Sequence, residues 1–325
     1  MKLNDTIYSL SNEAYHHEKP YTDYLSSSQL KLYAKSPLFF KYTIDNPTEE
    51  KTDALKLGSL FHLFVECASN HQEDSEAILD AWNSQVAVFD APINEKTGQP
   101  YGATTKAYKE AYDAFVLTND GKIIASKDDI ELVQNMATSL FDEQSATSRQ
   151  VVKLLKWGKS EVSHFVEYEG CKFKYRPDLE TRKKMIDWKT ISTDDLSERS
   201  INNIIAKFGY DISAAFYQFM EHQRTGVWKE FYWVFVSKSA PYDCVMVDAS
   251  NWTYKKDDET DIVFPQVGAI KMQALLDMHI KCTKEQKWQG AEIFIQEDGF
   301  GNRIMTPIPP SWEINNAATI LEQSV

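Results

Sequence analysis

Acidic and basic side chains lie close together in one short stretch, "YRPDLETRKKMIDWKT", residues 175–190. Asp178 follows a proline, Asp187 comes nine positions later, and Lys189 lies two places beyond Asp187. Side chains alternate on a strand, so Asp187 and Lys189 share a face, and an antiparallel return through "LETRKK" would bring Asp178 beside them. Neighbouring carboxylates suit Mg²⁺ or Mn²⁺, and a lysine beside them can orient or help deprotonate a water. The stretch predicts phosphodiester hydrolysis, or else an exposed hairpin with salt bridges.

Three further features strengthen the prediction of catalysis. Glu161 begins the strand-like run before Asp178, where an additional acid could complete a metal site. His62 lies in "GSLFHLFVE" and could bind a second metal through nitrogen, although a lone histidine is more often a packed or capping residue. "YDISAAFY" places Tyr210, Ser213 and Tyr217 on roughly one side of a helix, a spacing that is also typical of core residues.

The elements that position these residues change character along the chain. The first half is mainly helical: Ser26 to Ser28 are candidate helix caps, Pro37 interrupts or restarts a helix, and "ALKLGSLFHLFVECA" has an apolar helical face. "EVSHFVEY", "KFKYRPD" and "KMIDWKT" are then predicted to be neighbouring antiparallel strands. A helix, two strand-like runs and a long helix near 265–283 follow. This order predicts an α/β fold with a central mixed β-sheet flanked by helices.

Length and composition favour one soluble globular domain over residues 1–325. We expect a mainly helical part at 1–150, a catalytic sheet and helix at 158–250, and a C-terminal extension at 251–325. No apolar run approaches the thickness of a bilayer, and the N-terminus lacks a secretory signal, so we expect a cytoplasmic protein with no membrane partner. The four cysteines are scattered, which predicts isolated reduced thiols rather than a zinc or iron–sulfur site.

The net charge of −13 disfavours nucleic acid binding in general, but cations are concentrated between residues 172 and 189. We therefore predict a basic patch on an acidic protein, which can still bind a polyanion. The cations are Lys172, Lys174, Arg176, Arg182, Lys183, Lys184 and Lys189.

The ordered set of motifs resembles the PD-(D/E)XK nuclease superfamily, and within it the phage-type RecE-like exonucleases (exonuclease VIII family). The superfamily resemblance lies in "RPD" at 176–178 and "DWKT" at 187–190. The spacing of Gly58 and His62 is similar to the first motif of the RecB and RecE branches. "LSSSQLKLYAKSPLFFKY" and "GYDISAAFY" are similar to further RecE-like segments, so the resemblance covers most of residues 8–237.

The resemblance implies a role for each matching residue. Asp178 and Asp187 would bind metal, with the main-chain carbonyl of Trp188 as an extra ligand. Lys189 would position the attacking water, and His62 would bind a second metal. Two further residues complete the implied site: Glu161 as an outer acid and Tyr217 as the tyrosine of the helix that lies against the substrate strand.

One position departs from the family. Ser213 stands where the family's helix carries glutamine, and serine cannot make the paired hydrogen bonds of an amide. Water could fill the gap, Gln218 could compensate, or activity could be reduced.

The implied activity is metal-dependent degradation of linear double-stranded DNA from the 5′ end. Such an enzyme would leave 3′ single-stranded overhangs for an annealing protein and would work as a ring-like homo-oligomer in a bacterial host cell. Two alternatives remain open at this point: a non-catalytic module that binds DNA ends or a recombination partner, and a related nuclease acting as an endonuclease or on single strands.

Overall fold

The computed structural model describes residues 5–48, 52–71, 74–142, 144–257 and 259–297, together with residues 303 and 305. The helices are α1 Asn12–His17, α2 Ser27–Leu30, α3 Pro37–Asp45, α4 Asp53–His71, α5 Ser75–Gln85, α6 Lys106–Thr118, α7 Lys127–Leu140, α8 Ala146–Trp157, α9 Glu198–Phe208, α10 Tyr210–Thr225 and α11 Val267–Glu285. The strands are β1 Asp5–Ile7, β2 Val86–Val88, β3 Ile93–Asn94, β4 Gln99–Pro100, β5 Ile123–Ala125, β6 Lys159–Ser160, β7 Ser163–Tyr168, β8 Cys171–Tyr175, β9 Leu179–Glu180, β10 Lys184–Ile191, β11 Glu230–Ser237, β12 Cys244–Asp248, β13 Tyr254–Lys256 and β14 Val263–Pro265.

Side-chain caps begin the N-terminal helices where the sequence predicts them. Ser26 caps α2 in a capping box with Gln29, whose side chain accepts a hydrogen bond from the Ser26 main chain at 2.9 Å. Ser36 caps α3, and Pro37 occupies its first turn, where the missing N–H group costs nothing. Both predictions for this region are confirmed.

The largest sheet has the strand order β12-β11-β10-β9-β6. β10 and β11 run parallel in register from Lys184 opposite Glu230 to Ile191 opposite Ser237, and α9 and α10 form the crossover between them. The other three pairings in this sheet are antiparallel. The prediction of a central mixed sheet flanked by helices is therefore confirmed.

Helices cover both faces of this sheet. On β10, Met185 and Ile191 pack into a core that includes residues of α10 and α11, whereas Ile186 and Trp188 pack into a second core with residues of α4, α7 and α8. The alternation of side chains along one strand thus feeds two hydrophobic cores. α11 belongs to the first core, so this part of the predicted C-terminal extension packs against the central sheet. Most residues after 297 lie outside the described part of the chain.

The strands around the predicted acids form a long hairpin shared between two sheets. β7 pairs antiparallel with β8 in a small sheet with β1, while the adjoining β6 and β9 pair in the same register within the large sheet. The prediction that "KMIDWKT", residues 184–190, pairs with "KFKYRPD", residues 172–178, is wrong, because β10 pairs with the short β9 and takes β11 as its parallel partner. The antiparallel return itself occurs, but through two residues only.

The four cysteines are buried and free, as predicted. Among the described residues, no helix combines the length and the apolar character needed to cross a bilayer.

Candidate active site

Glu161 and Asp178 face each other across the long hairpin. The Glu161 N–H donates to the Asp178 carbonyl at 3.2 Å, continuing the register of the strands on either side. Glu161 has a left-handed backbone with φ of 53°, at the point where the first strand passes from one sheet to the other. Directly opposed side chains on antiparallel strands are neighbours, and like charges there repel. The fold thus places two acids where a cation would relieve their repulsion.

Pro177 explains why β10 loses its antiparallel partner beside these acids. Thr181 N–H donates to the Lys184 carbonyl at 2.8 Å, so the alternation of the ladder places the next donor at residue 179 and the following one at residue 177, opposite the Trp188 carbonyl. Proline has no N–H group, so the ladder stops. Side chains replace it: the Trp188 N–H donates to Asp178 Oδ2 at 2.6 Å, and His62 Nε2 donates to the Trp188 carbonyl at 2.9 Å.

The hydrogen bond to the Trp188 carbonyl fixes the orientation of His62. With Nε2 donating to Trp188, His62 Nδ1 lies 3.4 Å from Asp178 Oδ1. Among the described residues, one group of three has ligand atoms close enough to share an ion: in His62, Glu161 and Asp178 these atoms all lie within 4.8 Å of one another. Two carboxylates and one imidazole make a mixed oxygen and nitrogen set, which fits Mn²⁺ and, through the carboxylates, Mg²⁺.

The titration of these groups reflects the crowding of charge. Burial and the nearby charge of Asp178 raise the pKa of Glu161 to about 8, so a proton neutralises it at pH 7. Burial disfavours charged His62, but the charge of Asp178 and the hydrogen bond to it outweigh burial and raise the pKa of His62 to about 8. Burial opposes ionisation of Asp178 as well, yet His62 and the other positive partners lower the pKa of Asp178. The protons on Glu161 and His62 thus supply the positive charge that a bound metal ion would supply.

Asp187 and Lys189 lie next to this group, on the same face of β10. Lys189 Nζ lies 2.5 Å from Asp187 Oδ2 and 5.2 Å from the centre of the Tyr210 ring. Burial raises the pKa of Asp187 to about 6 despite the positive charge of Lys189. Burial also disfavours charged Lys189, but Asp187 and Asp178 more than compensate and raise its pKa. Lys189 is therefore charged at neutral pH, which suits it to binding and orienting groups rather than to accepting a proton.

The predicted metal ligands thus divide into two neighbouring sets. His62 lies with Glu161 and Asp178 rather than at a separate place, while the Asp187 carboxylate is engaged by Lys189. The Trp188 carbonyl lies at the same site but accepts the hydrogen bond from His62, so a metal ligand role for it would require that bond to be exchanged.

Tyr217 and Ser213 lie on α10, which packs on the face of the sheet that carries Asp187. The Tyr217 ring lies 5.6 Å from the ring of Tyr175 and 6.1 Å from that of Phe231. Burial is the main cause that raises the pKa of Tyr217 well above its ordinary value. Gln218 does not take the place of the family's glutamine, because its buried amide donates to the Lys229 carbonyl at 2.8 Å.

Two residues near the site were missed by sequence reasoning. Burial and the charge of Asp178 raise the pKa of Glu66, although the charge of Arg176 opposes the shift, and Glu66 in turn contributes to the raised pKa of Glu161. Its spacing of four from His62, which places both on one helix face, was the available signal. Burial, then the charge of Lys189, lowers the pKa of Lys31, which lies in the segment "LSSSQLKLYAKSPLFFKY" far from the site in sequence.

The cation-rich run at 172–189 does not form one surface patch, contrary to the prediction. Lys174 and Arg176 are buried, at 4% and 7% exposure. Lys174 Nζ donates to the Tyr15 carbonyl at 2.6 Å, and Arg176 Nε donates to Ser163 Oγ at 2.8 Å. The segment from Leu10 to Tyr15 covers these two cations, because Lys174 bonds to Tyr15 and Arg176 Nη2 donates to the Leu10 carbonyl at 3.1 Å.

Comparison with known proteins identifies the family of this chain. A family model described as "PDDEXK-like domain of unknown function (DUF3799)" matches residues 26–289, a span that contains every residue of the site above. The chain belongs to this family. It is therefore a PD-(D/E)XK nuclease-like protein, and Pro177-Asp178 with Asp187-x-Lys189 are the positions that fit the name of the superfamily.

Two other comparisons add little to this PD-(D/E)XK assignment. A crystal structure from Eubacterium rectale, described as "Putative exonuclease", aligns over 94% of this chain and 98% of its own at 17% identity and a TM-score of 0.44. No curated protein matches the chain.

Proposed function

We propose that this PD-(D/E)XK protein is a metal-dependent exodeoxyribonuclease that degrades linear double-stranded DNA from 5′ to 3′ and leaves 3′ single-stranded overhangs. The observation that carries the proposal is the placement of Asp187 and Lys189 on the strand beside the group formed by His62, Glu161 and Asp178. The polarity and the recombination role rest on the resemblance to RecE-like exonucleases.

Each residue has a definite task in this proposal. His62, Glu161 and Asp178 hold the ion, Asp187 adds a further carboxylate, and the Trp188 carbonyl is available once His62 exchanges its hydrogen bond. When bound, Mg²⁺ or Mn²⁺ would stabilise negative charge that develops on the phosphate. Lys189 donates hydrogen bonds that orient the attacking water. Tyr217 would lie against the substrate strand.

The proposed partners follow from the same resemblance. DNA ends are the substrate, a ring-like homo-oligomer would keep the strand threaded between cuts, and an annealing protein would receive the overhang. The setting would be the cytoplasm of a bacterial host cell.

The test compares linear and covalently closed duplex DNA, with and without Mg²⁺, for the unaltered protein and two variants. We expect only linear DNA with Mg²⁺ to be degraded. Asp187→Asn and Lys189→Met should each lower the rate by a hundredfold or more, on the order of 3 kcal/mol of transition-state stabilisation. A 5′ or 3′ end label measures the polarity.

Lys184→Met is the matched control, because Lys184 lies on the same strand as Lys189 but pairs with Glu230 at 3.4 Å. Its rate should stay close to that of the unaltered protein. Degradation that persists in both Asp187→Asn and Lys189→Met would refute the proposed nuclease site.

A non-catalytic module that binds DNA ends is the second candidate, because Ser213 replaces the family's glutamine and Gln218 is engaged elsewhere. Calorimetric titration with Mn²⁺ separates the two. Tight binding that is abolished by Asp178→Asn favours the enzyme, whereas DNA-end binding without metal binding favours the module.

A further inference from the structure

A second pocket opens on the same hairpin, two residues along from the candidate metal site. It has a volume of about 290 Å³ and is lined in part by Tyr8, Trp157, Lys159, Glu180, Arg182 and Arg224. Lys159 faces Glu180 across the hairpin, just as Glu161 faces Asp178 two residues further along. Two residues of strand span about 7 Å, so the two places are close neighbours.

Buried ion pairs fix the floor of this pocket. Lys229 Nζ lies 2.8 Å from Glu180 Oε2 and 3.1 Å from Glu221 Oε1. Arg224 Nη2 lies 2.7 Å from Glu221 Oε2, and the Tyr175 hydroxyl also donates to Glu221. Two cations and two carboxylates thus compensate one another within the floor, which makes it rigid without giving it an excess charge.

The mouth of the pocket differs from its floor, because its two cations are not paired with an acid within the part of the chain that the structure describes. Lys159 and Arg182 are exposed, and neither forms an ion pair with an acid in the described part of the chain. The pocket therefore carries two uncompensated positive charges on a chain whose net charge is −13. An anionic ligand is the complement of such a surface.

Exposed aromatic rings stand beside these cations. Trp157 ends α8 with 73% of its surface exposed, and Tyr8 is 62% exposed. Lys159 Nζ lies 4.5 Å from the centre of the Tyr8 ring. Cations that hold phosphates beside aromatic rings that stack on bases are the usual means of binding single-stranded nucleic acid.

We propose that this pocket binds a nucleotide unit of single-stranded DNA, with its phosphate held by Lys159 and Arg182 and its base stacked on Trp157 or Tyr8. The proposal deepens the proposed nuclease function and rests on it for the source of the strand, which would be a product or substrate strand leaving or entering the neighbouring site. The binding itself requires no hydrolysis.

The test measures anisotropy of a labelled oligothymidylate in EDTA, so that no metal-dependent cleavage occurs. Lys159→Ala/Arg182→Ala should weaken binding at least tenfold and reduce the slope of log affinity against log salt by about 0.7, because one phosphate contact is lost. Trp157→Ala should weaken binding roughly fivefold to a hundredfold, and Trp157→Phe should restore most of it.

Lys109→Ala/Lys122→Ala is the control, because it removes the same charge from exposed lysines that do not line the pocket. Oligothymidylate affinity equal in the two double variants would overturn the proposal. So would a Trp157→Ala protein that changes its oligomeric state in size-exclusion chromatography but keeps its DNA affinity. Competition by thymidine monophosphate supports the pocket, whereas competition by duplex DNA alone contradicts it.

The outcomes separate this proposal from the proposed function. If the pocket variants lose single-strand binding while no DNA is hydrolysed with Mg²⁺, the pocket stands and the nuclease assignment falls. If DNA is still hydrolysed with Mg²⁺ and the pocket variants bind single-stranded DNA as tightly as the unaltered protein, the nuclease assignment stands and the pocket proposal falls.

Discussion

At the scale of single residues, the opposition of Glu161 and Asp178 determines how the site responds to pH. The raised pKa values of Glu161 and His62, both about 8, mean that each retains a proton at pH 7 in the metal-free protein. Metal ligands must be deprotonated, so an ion can enter only as these protons leave.

We therefore expect Mn²⁺ affinity to rise steadily from pH 6 to pH 8.5 and to level off above it. Calorimetry at pH 7 in buffers of different ionisation enthalpy should detect released protons. Glu161→Gln should lower the affinity about tenfold or more and remove one proton from the release. Affinity that does not vary with pH in the unaltered protein would contradict this account.

At the scale of secondary-structure elements, the local sequence predicted the helix caps and helical segments, which depend on interactions between residues close together in the chain. The caps at Ser26 and Ser36 and the helix that carries His62 follow from side chains that bond to their own helix ends or repeat with helical spacing. The partner of β10 could not be predicted in the same way, because parallel pairing with β11 depends on contacts between residues more than forty positions apart in sequence.

One detail of the hairpin could be predicted from the sequence, and another could not. Pro177 was a usable signal, because a proline in a strand-like run indicates the end of a ladder. The left-handed backbone of Glu161 was not, because glutamate has no preference for that conformation and only the passage of the strand between two sheets imposes it. The acids were therefore predictable as residues but not as an opposed pair.

Gly58 provides a test at the scale of the helix. It lies within α4, one turn before His62, and a Cβ atom added there would meet only Thr190 Oγ1 at 4.0 Å, an ordinary contact. Gly58→Ala should therefore raise the free energy of unfolding by about 0.5–1 kcal/mol, because alanine favours the helix. Urea denaturation measures the change.

Mn²⁺ affinity should be unchanged in Gly58→Ala, since the alanine methyl leaves His62 in place. Ser59→Ala is a neighbouring control on the same helix. A loss of stability in Gly58→Ala would show that the helix needs glycine for closer packing than the contact at Thr190 indicates.

At the scale of the whole molecule, the site links stability to pH. The raised pKa of His62 means that its stabilising contribution is fully present below its ordinary pKa of about 6.5 and is lost as the pH rises through 8. Glu161 acts in the same direction, because its ionisation between about 4.5 and 8 is disfavoured in the folded protein.

We expect the free energy of unfolding of the metal-free protein to fall between pH 6 and pH 9, by on the order of 2 kcal/mol for His62 alone. Urea denaturation in EDTA measures this slope. His62→Gln should flatten it, and saturating Mn²⁺ should oppose it by binding the folded state. A slope that is unchanged in His62→Gln would exclude His62 as its source.

The division of one hairpin between two sheets has a mechanical consequence. Glu161 and Asp178 lie opposite each other where the small sheet meets the large one, so an ion bound by both acids would link the two strands at that junction. Such an ion would hold the two strands together at the point where they pass from one sheet to the other. Amide hydrogen exchange in β7 and β8, which adjoin these two residues, should then slow on addition of Mn²⁺.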